Sequence, residues 1–472
     1  MTAKQKNIRK SRIHRNKKYQ KKQKIRRRLW FILALSVLFL GCLIFDCQKK
    51  RMFQPEKKQV KPVKDNKSKE AAKKDRDKEK IRVLITNDAM NSIYHDRICV
   101  SGTQDVIVTV NGRRKHYKKG KTIIFSEKGK NKQIKRVKIS CPNGRIRIKS
   151  ITRSGKIPEY RGSMMITRKK KGFLVVNTLS VEEYLFGVVP SEMPSSYPME
   201  ALKAQAVCAR SFAWKQMRSN SYKDYGADVD DTTSFQVYRM TDEDKRTRRA
   251  VRATAGKKVY SDNRVITTYY YSTSWGYSAS EEEAWGGVKG KNYPVRFQSS
   301  GEEDREDLMQ EKRFYDFIVK DSMKTFDSGY DWYRWQVKLT GEILGAKLGI
   351  GKVQRIRILK RGKSGLIRRI RIIGTKGRVT IEGQEKIRQQ LYPVGTEIVR
   401  KSSGEKTVLS MLPSAAFTVL DGTEDGKVVF TLLGGGLGHG VGMSQNGAGE
   451  MARQGYNYKE ILQHYYSHCE IR

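Results

Sequence analysis

An uncharged apolar run at residues 29–45 constrains this chain more than any other feature of its sequence. It follows a 28-residue segment that holds 14 Lys or Arg and no acidic residue. Its 17 residues are close to the shortest helix that can span a hydrocarbon core of about 30 Å. The positive cluster ahead of it would stay cytoplasmic under the positive-inside rule. The sequence therefore predicts a basic cytoplasmic segment over 1–28, a transmembrane helix over 29–46 and a body outside the cytoplasm.

Two other interpretations of this segment are a cleaved signal peptide and a lipoprotein anchor. A leading region of 28 residues is long for a signal peptide, and no A-x-A-like cleavage site follows the run. The stretch FLGC ends at Cys42 and resembles a lipoprotein cleavage box, but the apolar run continues through Leu43, Ile44 and Phe45. These observations favour an anchor that stays in the cell membrane.

The remaining residues divide into a linker and two folded parts. Residues 47–80 are mostly Lys, Asp, Glu, Gln and Pro, which predicts a charged, disordered linker. Residues 81–157 carry short apolar alternations such as DVIVTVNG, broken by Gly, Asn or Asp, and predict a small β-rich module. Residues 158–472 add helical patterns to further strands. We expect an α+β fold, with a β-rich mixed domain in which a few helices surround a cleft.

The strongest local pattern lies between residues 164 and 213. It predicts a hairpin and then a helix that begins at Ser180, with Glu183 in its first turn. A second helix follows Pro198, which suits the first position of a helix. Glu192 would then lie in a proline-bounded connection between two helices.

The chain carries a large positive charge, since 97 Lys or Arg against 48 acidic residues give a formal net charge of +49. Such an excess predicts a polyanionic partner. Nucleic acid, anionic lipid and anionic wall polymer all fit, but a body outside the cytoplasm argues against nucleic acid. The stretches VQRIRILKR and LIRRIRIIG alternate basic and apolar residues, which is typical of a sheet with one solvated face.

Cysteine and histidine spacing predicts neither a disulfide scaffold nor a metal site. Cys99 and Cys141 are the one plausible pair among six cysteines, and a bridge and two free thiols are both open. His464, His468 and Cys469 match no common zinc spacing. We predict no metal and no cofactor.

Glu192 is the sharpest candidate for chemistry. Val188, Val189 and Pro190 precede it and Met193 follows it. Apolar surroundings favour the neutral form of a carboxylic acid, which is what a general acid needs near neutral pH. A loop glutamate that faces water or caps a helix is the alternative.

Two further stretches could line a binding site. YYYSTSWGYSASEEEAWGG, residues 269–287, interleaves aromatic residues with Ser and Thr and suits a sugar ring, although an ordinary strand edge has the same composition. GGGLGHGVGMSQNGAGEMARQGY, residues 434–456, is glycine-rich around His439 but fits neither a phosphate loop nor a dinucleotide fingerprint. His439 could orient a catalytic group or simply bond to the backbone.

These stretches, in this order, resemble the SpoIID/LytB family of peptidoglycan-acting proteins. The resemblance includes VVNTLSVEEYLFGVVPSEMPSSYPMEALKAQAVCARSFA, YYSTSWGYSASEEEAW and GLGHGVGMSQNGAGEMARQGYNYKEILQHYY, and it covers about residues 158–472. It implies a lytic transglycosylase that cleaves peptidoglycan glycan strands with Glu192 as its single catalytic acid/base. We expect seven residues to bind substrate in the cleft: Tyr271, Ser272, Thr273, Ser274, His439, Ser444 and Gln445.

Two departures from the family pattern affect the expected site. Sporulation members can carry His and Cys zinc ligands in the segment that here reads DVDDTTSFQVYRM, where Ser234 and Phe235 stand instead. Trp275 replaces a glycine usual in the family, which would narrow the cleft or offer a stacking face. Some relatives enhance a separate cell-wall amidase and are not enzymes, so an amidase enhancer is the second hypothesis.

Overall fold

The computed structural model describes residues 79–126, 135–219, 221–288, 290–299, 301, 307–319 and 324–472. The predicted basic segment, the transmembrane helix and nearly all of the linker lie outside the described residues. No helix within the described part of the chain is long and apolar enough to cross a membrane. The described residues belong to one compact unit that spans 68–472.

Strands dominate the structure. In chain order they are β1 (Lys80–Ile85), β2 (Arg97–Gly102), β3 (Val106–Val110), β4 (Arg113–Tyr117), β5 (Ile123–Ser126), β6 (Arg136–Ser140), β7 (Ile146–Ile148), β8 (Glu159–Tyr160), β9 (Ser163–Lys169), β10 (Gly172–Ser180), β11 (Val229–Asp230), β12 (Val259–Ser261), β13 (Arg264–Val265), β14 (Tyr270–Tyr271), β15 (Trp335–Thr340), β16 (Val353–Arg361), β17 (Ile367–Gly374), β18 (Gly377–Glu382), β19 (Ile398–Arg400), β20 (Lys406–Thr407), β21 (Phe417–Glu424), β22 (Lys427–Gly434), β23 (Met443–Ser444) and β24 (Glu470–Ile471).

Helices connect and cover these strands. They are α1 (Val181–Glu192), α2 (Met199–Gln216), α3 (Lys245–Ala253), α4 (Glu281–Trp285), α5 (Glu311–Val319), α6 (Gly341–Leu348), α7 (Gln384–Gln390), α8 (Gln445–Arg453) and α9 (Tyr458–Tyr465). The mixture is α+β and rich in strands, as the sequence predicts.

The largest sheet has the order β11-β1-β10-β9-β6-β3-β4. Its centre is the hairpin of β9 and β10, which confirms the hairpin predicted from the sequence. β1 pairs with β10 and β6 pairs with β9, both antiparallel. Strands from both sides of residue 157 therefore share one sheet, and the predicted 81–157 module is not separated from the rest by a sheet boundary. Hydrogen bonding between strands distant in sequence produces this arrangement.

A second group of sheets forms the other half of the unit. One sheet has the order β20-β19-β15-β22-β21, and a smaller one has the order β16-β17-β18. Their apolar faces belong to a core distinct from that of the seven-stranded sheet. Helix α2 contributes to both cores, because Leu202 and Cys208 belong to one and Ala206 and Ala209 to the other. The small alanines of α2 thus let the two halves pack on one helix.

Helix α1 runs further than the sequence pattern predicts. It begins after Ser180, whose side chain accepts a hydrogen bond from the N–H of Glu183 in a capping box. It continues through Pro190 and ends at Glu192. Proline has a helical φ and loses one backbone hydrogen bond, and burial of the surrounding turn outweighs that loss. Glu192 is therefore the last residue of a helix, not part of the connection expected from the sequence.

Cys99 and Cys141 are free thiols in the structure. Cys141 is buried and its Sγ donates to the carbonyl oxygen of Gln104 at 3.6 Å. Of the two states that the sequence left open for this pair, the structure has the free thiols.

Candidate active site

The C-terminal end of α1 presents the Glu192 carboxyl to two groups from other elements. Its Oε1 accepts a 2.6 Å hydrogen bond from the backbone N–H of Val237. It is also hydrogen-bonded to the hydroxyl of Tyr270 on β14. Tyr270 Oη in turn accepts a 3.1 Å hydrogen bond from Gln236 Nε2. One carboxyl is thus held between a helix end, a loop and a strand.

Burial raises the pKa of Glu192 from 4.5 to about 7, although the hydrogen bonds from Val237 and Tyr270 act in the opposite direction. Desolvation disfavours the charged form of a carboxyl, whereas donors stabilise it. Glu192 as a whole residue is only partly buried, although its carboxyl is largely desolvated. At neutral pH both protonation states are therefore well populated, which suits a group that must give and then take a proton.

The segment that supplies Val237 comprises residues 228–240, and two ion pairs hold its beginning. Asp228 accepts hydrogen bonds from the backbone N–H and the guanidinium of Arg82. Asp231 pairs with Arg153 at 2.9 Å, and both side chains are at most 1% exposed. A buried ion pair of this kind orients the backbone that follows it, so Arg153 and Asp231 help to aim the Val237 N–H at Glu192.

The glycine-rich segment contacts the same helix end from the other side. Gln445 Nε2 donates to the backbone carbonyl of Glu192 at 3.0 Å and lies 3.4 Å from Oε1 of Gln205. Gln205 is fully buried, and its own Nε2 has no hydrogen-bond partner among the described residues. Gln445, one of the predicted site residues, is therefore brought directly to Glu192.

A buried carboxylate, Asp327, joins the other two predicted stretches. Its oxygens accept from the N–H and Oγ of Ser274, at 2.9 and 3.0 Å, and from Ser444 Oγ at 2.5 Å. Ser274 follows β14 and Ser444 ends β23, and these two strands pair in parallel. Burial raises the pKa of Asp327 to about 6 against the effect of these donors. No sequence motif marks Asp327, because its partners lie more than 50 positions away.

Four of the predicted substrate-binding residues are buried in the scaffold. They are Tyr271, Thr273, Ser274 and Ser444, each at most 4% exposed. Thr273 Oγ1 accepts a hydrogen bond from Asn446 Nδ2 at 2.8 Å. In this structure these side chains connect the two stretches and do not face an open cleft, whereas Ser272 and Gln445 are partly exposed.

His439 belongs to an aromatic cluster. Its ring centroid lies 5.1 Å from that of Trp285 and 5.6 Å from that of Tyr271. Successive side chains of a strand point to opposite faces, so His439 and Tyr271 lie on the face of β14 away from the Tyr270 hydroxyl. Burial, with the nearby charge of Arg388, lowers the pKa of His439 to about 4. The ring is neutral at pH 7, and Trp285, 45% exposed, offers the accessible aromatic face.

Trp275 does not line the cleft. It is 1% exposed, and its Nε1 donates to the carbonyl oxygen of Ser364 at 2.8 Å. The glycine-rich segment crosses its ring so closely that a Cβ on Gly440 would stand 2.4 Å from it. The expectation of a narrower cleft or a stacking face was therefore wrong, because the indole fills the core beneath the segment. The glycines provide the space that it requires.

Comparison with known proteins agrees with the family resemblance found in the sequence. Residues 169–260 match the family model described as SpoIID, stage II sporulation protein, and residues 279–442 match a domain of unknown function. The chain is 30% identical to stage II sporulation protein D of Bacillus amyloliquefaciens over 310 residues, which are 63% of this chain and 75% of the relative. The Bacillus subtilis protein of the same name is 28% identical over 310 residues, which are again 63% of this chain and 75% of the relative.

This chain belongs to the SpoIID/LytB family. A Bacillus subtilis protein named amidase enhancer is 29% identical over 298 residues, which are 60% of this chain and 39% of the relative. The family membership supports a function related to the bacterial cell wall. The match to the family model includes Glu192, Val237 and the segment between them.

The 228–240 segment of this SpoIID/LytB member does not fit a zinc ion. Ser234 is exposed, and Phe235, which has no donor atom, packs on Tyr222 with ring centroids 5.4 Å apart. The carboxylates of Asp228 and Asp231 are already occupied by arginines. In this chain ion pairs therefore hold the beginning of the segment, and the Val237 N–H further along it contacts Glu192.

Proposed function

We propose that this protein is a lytic transglycosylase that cleaves the bond between N-acetylmuramic acid and N-acetylglucosamine in peptidoglycan glycan strands. The observation that carries the proposal is the Glu192 carboxyl, held at a helix end, with a pKa raised to about 7 and a 2.6 Å hydrogen bond from the Val237 N–H. A single carboxyl with this pKa can serve as acid and then as base in one turnover.

In the first step the protonated Glu192 gives its proton to the glycosidic oxygen as the bond from that oxygen to the anomeric carbon breaks. The C6 hydroxyl of the muramic residue then bonds to the anomeric carbon and closes an anhydro ring. Its proton passes to the Glu192 carboxylate, which restores the starting state. The nucleophile is part of the substrate and already near the reacting carbon, so a second enzymic carboxyl is not needed.

The surroundings of Glu192 suit both steps. The Val237 N–H and the Tyr270 hydroxyl stabilise the carboxylate that forms when the proton leaves. Gln445 holds the end of α1 through its backbone carbonyl, so the carboxyl keeps its position.

An enhancer of a cell-wall amidase is the second candidate, favoured by the likeness to the relative named amidase enhancer. In that case the protein would act by binding a partner or glycan, and the charge state of Glu192 would not matter. The raised pKa of Glu192 favours the enzyme.

The deciding experiment is digestion of purified glycan strands, with and without stem peptides, by the full-length protein and by Glu192→Gln. We expect anhydro-muramic products from the unaltered protein and at least a ~100-fold slower rate from the variant, since a general acid contributes that much or more. Glu200→Gln, which changes an acid of the first turn of α2, is the matched control. If neither protein cleaves the strands and both accelerate a cell-wall amidase equally, the amidase-enhancer function is the correct one.

We also propose that residues 29–46 anchor the protein in the cell membrane with its folded part outside the cytoplasm. The basic 1–28 segment and the apolar run support this placement. Protease added to intact protoplasts should degrade the folded part and leave a short N-terminal fragment. Full protection of the folded part would contradict the proposed orientation.

A further inference from the structure

The three-stranded sheet β16-β17-β18 has one apolar and one strongly basic face. Its register places three residues side by side in each outward row: Arg355, Ile373 and Arg378; Arg357, Arg371 and Thr380; Lys360, Arg369 and Glu382. The isoleucines between these rows, among them Ile356, Ile370 and Ile372, are buried in the core. The alternation predicted from the sequence is confirmed, and it collects six cations on one solvated surface. We call these six residues the cationic face: Arg355, Arg357, Lys360, Arg369, Arg371 and Arg378.

The cationic face is poorly neutralised. Glu382 is the one carboxylate among its nine outward residues, and it lies 3.5 Å from Arg369 with both side chains about half exposed or more. Arg371 Nε donates to the neutral Thr380 Oγ1 at 3.2 Å, and no carboxylate of the described residues forms an ion pair with Arg371. Six cations against one carboxylate leave a net charge of +5 on one side of a small sheet.

The arrangement opposes folding. Arg357 stands directly opposite Arg371, and Lys360 directly opposite Arg369. Like charges in directly opposed cross-strand positions destabilise a sheet. Charged edge strands protect a sheet from pairing with another chain, but this need accounts only for β16 and β18. Arg369 and Arg371 lie on the central strand, where no edge requires protection.

We infer that the cationic face binds the phosphodiester backbone of an anionic cell-wall polymer. Guanidinium groups bind phosphate through paired, charge-assisted hydrogen bonds, and strands about 4.8 Å apart repeat those groups in two directions. Ile373 is the single large apolar residue among the nine, and none is aromatic. The face therefore lacks the aromatic and large apolar side chains that insert into a bilayer or form stacking platforms for nucleic-acid bases. It lies within the part of the chain that matches a domain of unknown function.

The inference rests on the extracytoplasmic placement proposed above and not on the chemistry of Glu192. It assigns a role that cleavage does not require, namely retention of the protein on the wall. A polymer bound at the cationic face would concentrate the protein near its glycan substrate, and salt would weaken the retention because it screens exposed charges.

The test uses the full-length protein and immobilised poly(glycerol phosphate) over a range of salt concentrations. The sheet variant carries Arg355→Gln, Arg357→Gln, Arg371→Gln and Arg378→Gln. The control removes four exposed cations around β4, namely Arg113→Gln, Arg114→Gln, Lys119→Gln and Lys121→Gln. At physiological salt we expect about tenfold weaker binding and a shallower salt dependence for the sheet variant, and at most a ~2-fold change for the control. Equal losses in both variants, or none in the sheet variant, would overturn the inference.

Further measurements complete the test. Thermal unfolding of the sheet variant should occur at the same temperature or higher, because repulsion between Arg357 and Arg371 is removed. Arg355→Gln with Arg378→Gln alone should give a smaller loss of binding. Vesicles that contain phosphatidylglycerol test the other source of phosphate, and a loss of binding confined to these vesicles would overturn the inference in favour of a membrane surface.

Glu192→Gln should bind the polymer normally, and the sheet variant should cleave soluble glycan strands normally, so binding and cleavage can fail independently.

Discussion

The backbone N–H of Val237 points at the carboxyl of Glu192, with 2.6 Å between nitrogen and oxygen and 45 positions between the residues. A main-chain donor cannot be removed by a side-chain substitution, so the 228–240 segment as a whole sets the electrostatics of the site. The carboxyl is consequently sensitive to whatever holds that segment in place.

The pH dependence of glycan cleavage should follow the ionisation of Glu192. Because the first step needs the protonated acid and the pKa is raised to about 7, the rate should fall as the pH rises through that value. Tyr270→Phe removes a hydrogen bond that lowers this pKa. The fall in cleavage rate at high pH, which we call the alkaline limb of the pH–rate profile, should therefore move to higher pH. Rate profiles of the two proteins measure the shift. Tyr271→Phe, on the other face of β14, should leave the limb in place, and a shift to lower pH in Tyr270→Phe would contradict the assignment.

Glu192→Gln should stabilise the fold at neutral and higher pH. Folding raises the pKa of Glu192 from 4.5 to about 7, so the ionised carboxyl destabilises the native state above the higher value and not below the lower one. The variant should therefore gain about 3 kcal/mol in free energy of unfolding as the pH rises from 4.5 to above 7, relative to the unaltered protein. Chemical denaturation at several pH values measures the difference. A pH-independent difference would show that the pKa of Glu192 is not raised.

Asp327→Asn should weaken the junction between the two stretches that carry Ser274 and Ser444. The amide has one acceptor oxygen where the carboxylate has two, so a buried hydroxyl or N–H loses its partner. We expect a loss of about 2–3 kcal/mol in free energy of unfolding, measured by denaturant titration, and a lower rate of cleavage without displacement of its pH limb. Asp262→Asn, at an exposed acid, is the control and should change stability by less than ~0.5 kcal/mol.

The buried pair of Arg153 and Asp231 should control the site from a distance. Asp231→Asn leaves a guanidinium buried without its counter-charge, which typically costs about 3–5 kcal/mol. Loosening the segment also weakens the Val237 donor, so the pKa of Glu192 and the alkaline limb of the rate should rise. The double variant Arg153→Met with Asp231→Leu should recover much of the lost stability. The pH at which the cleavage rate falls should stay higher than in the unaltered protein. Recovery of both would assign the pair a purely structural role.

Trp275 and the glycine-rich segment should be energetically coupled. Trp275→Gly removes an indole that is 1% exposed and should cost about 3–5 kcal/mol. Gly440→Ala alone should also destabilise, since its φ is +82° and a Cβ would meet the indole at 2.4 Å. The double variant should lose less than the sum of the single variants, because the indole that clashes with the added Cβ is gone. Strict additivity in unfolding experiments would contradict the contact.

The sequence predicted the features that local spacing determines. The start of α1 at Ser180, the β9–β10 hairpin and the alternation of basic and apolar residues in β16 and β17 follow from residue order within a few positions. The end of α1 was misplaced, because a proline in the last turn usually signals a boundary and burial of the turn overrides that signal here. The resemblance of the quoted motifs to the SpoIID/LytB family is confirmed by the comparisons.

The sequence by itself thus determined which functional groups are available: one acid in apolar surroundings, an aromatic stretch, a glycine-rich stretch and an excess of cations. The tertiary structure decided which of these groups meet. Strand alternation places the Tyr270 side chain toward Glu192 and the Tyr271 side chain away from it. Asp327 joins the stretches that carry Ser274 and Ser444, and no sequence motif predicts this contact. These outcomes depend on contacts between residues that are tens to hundreds of positions apart, and such contacts are set by how the sheets and α2 pack together.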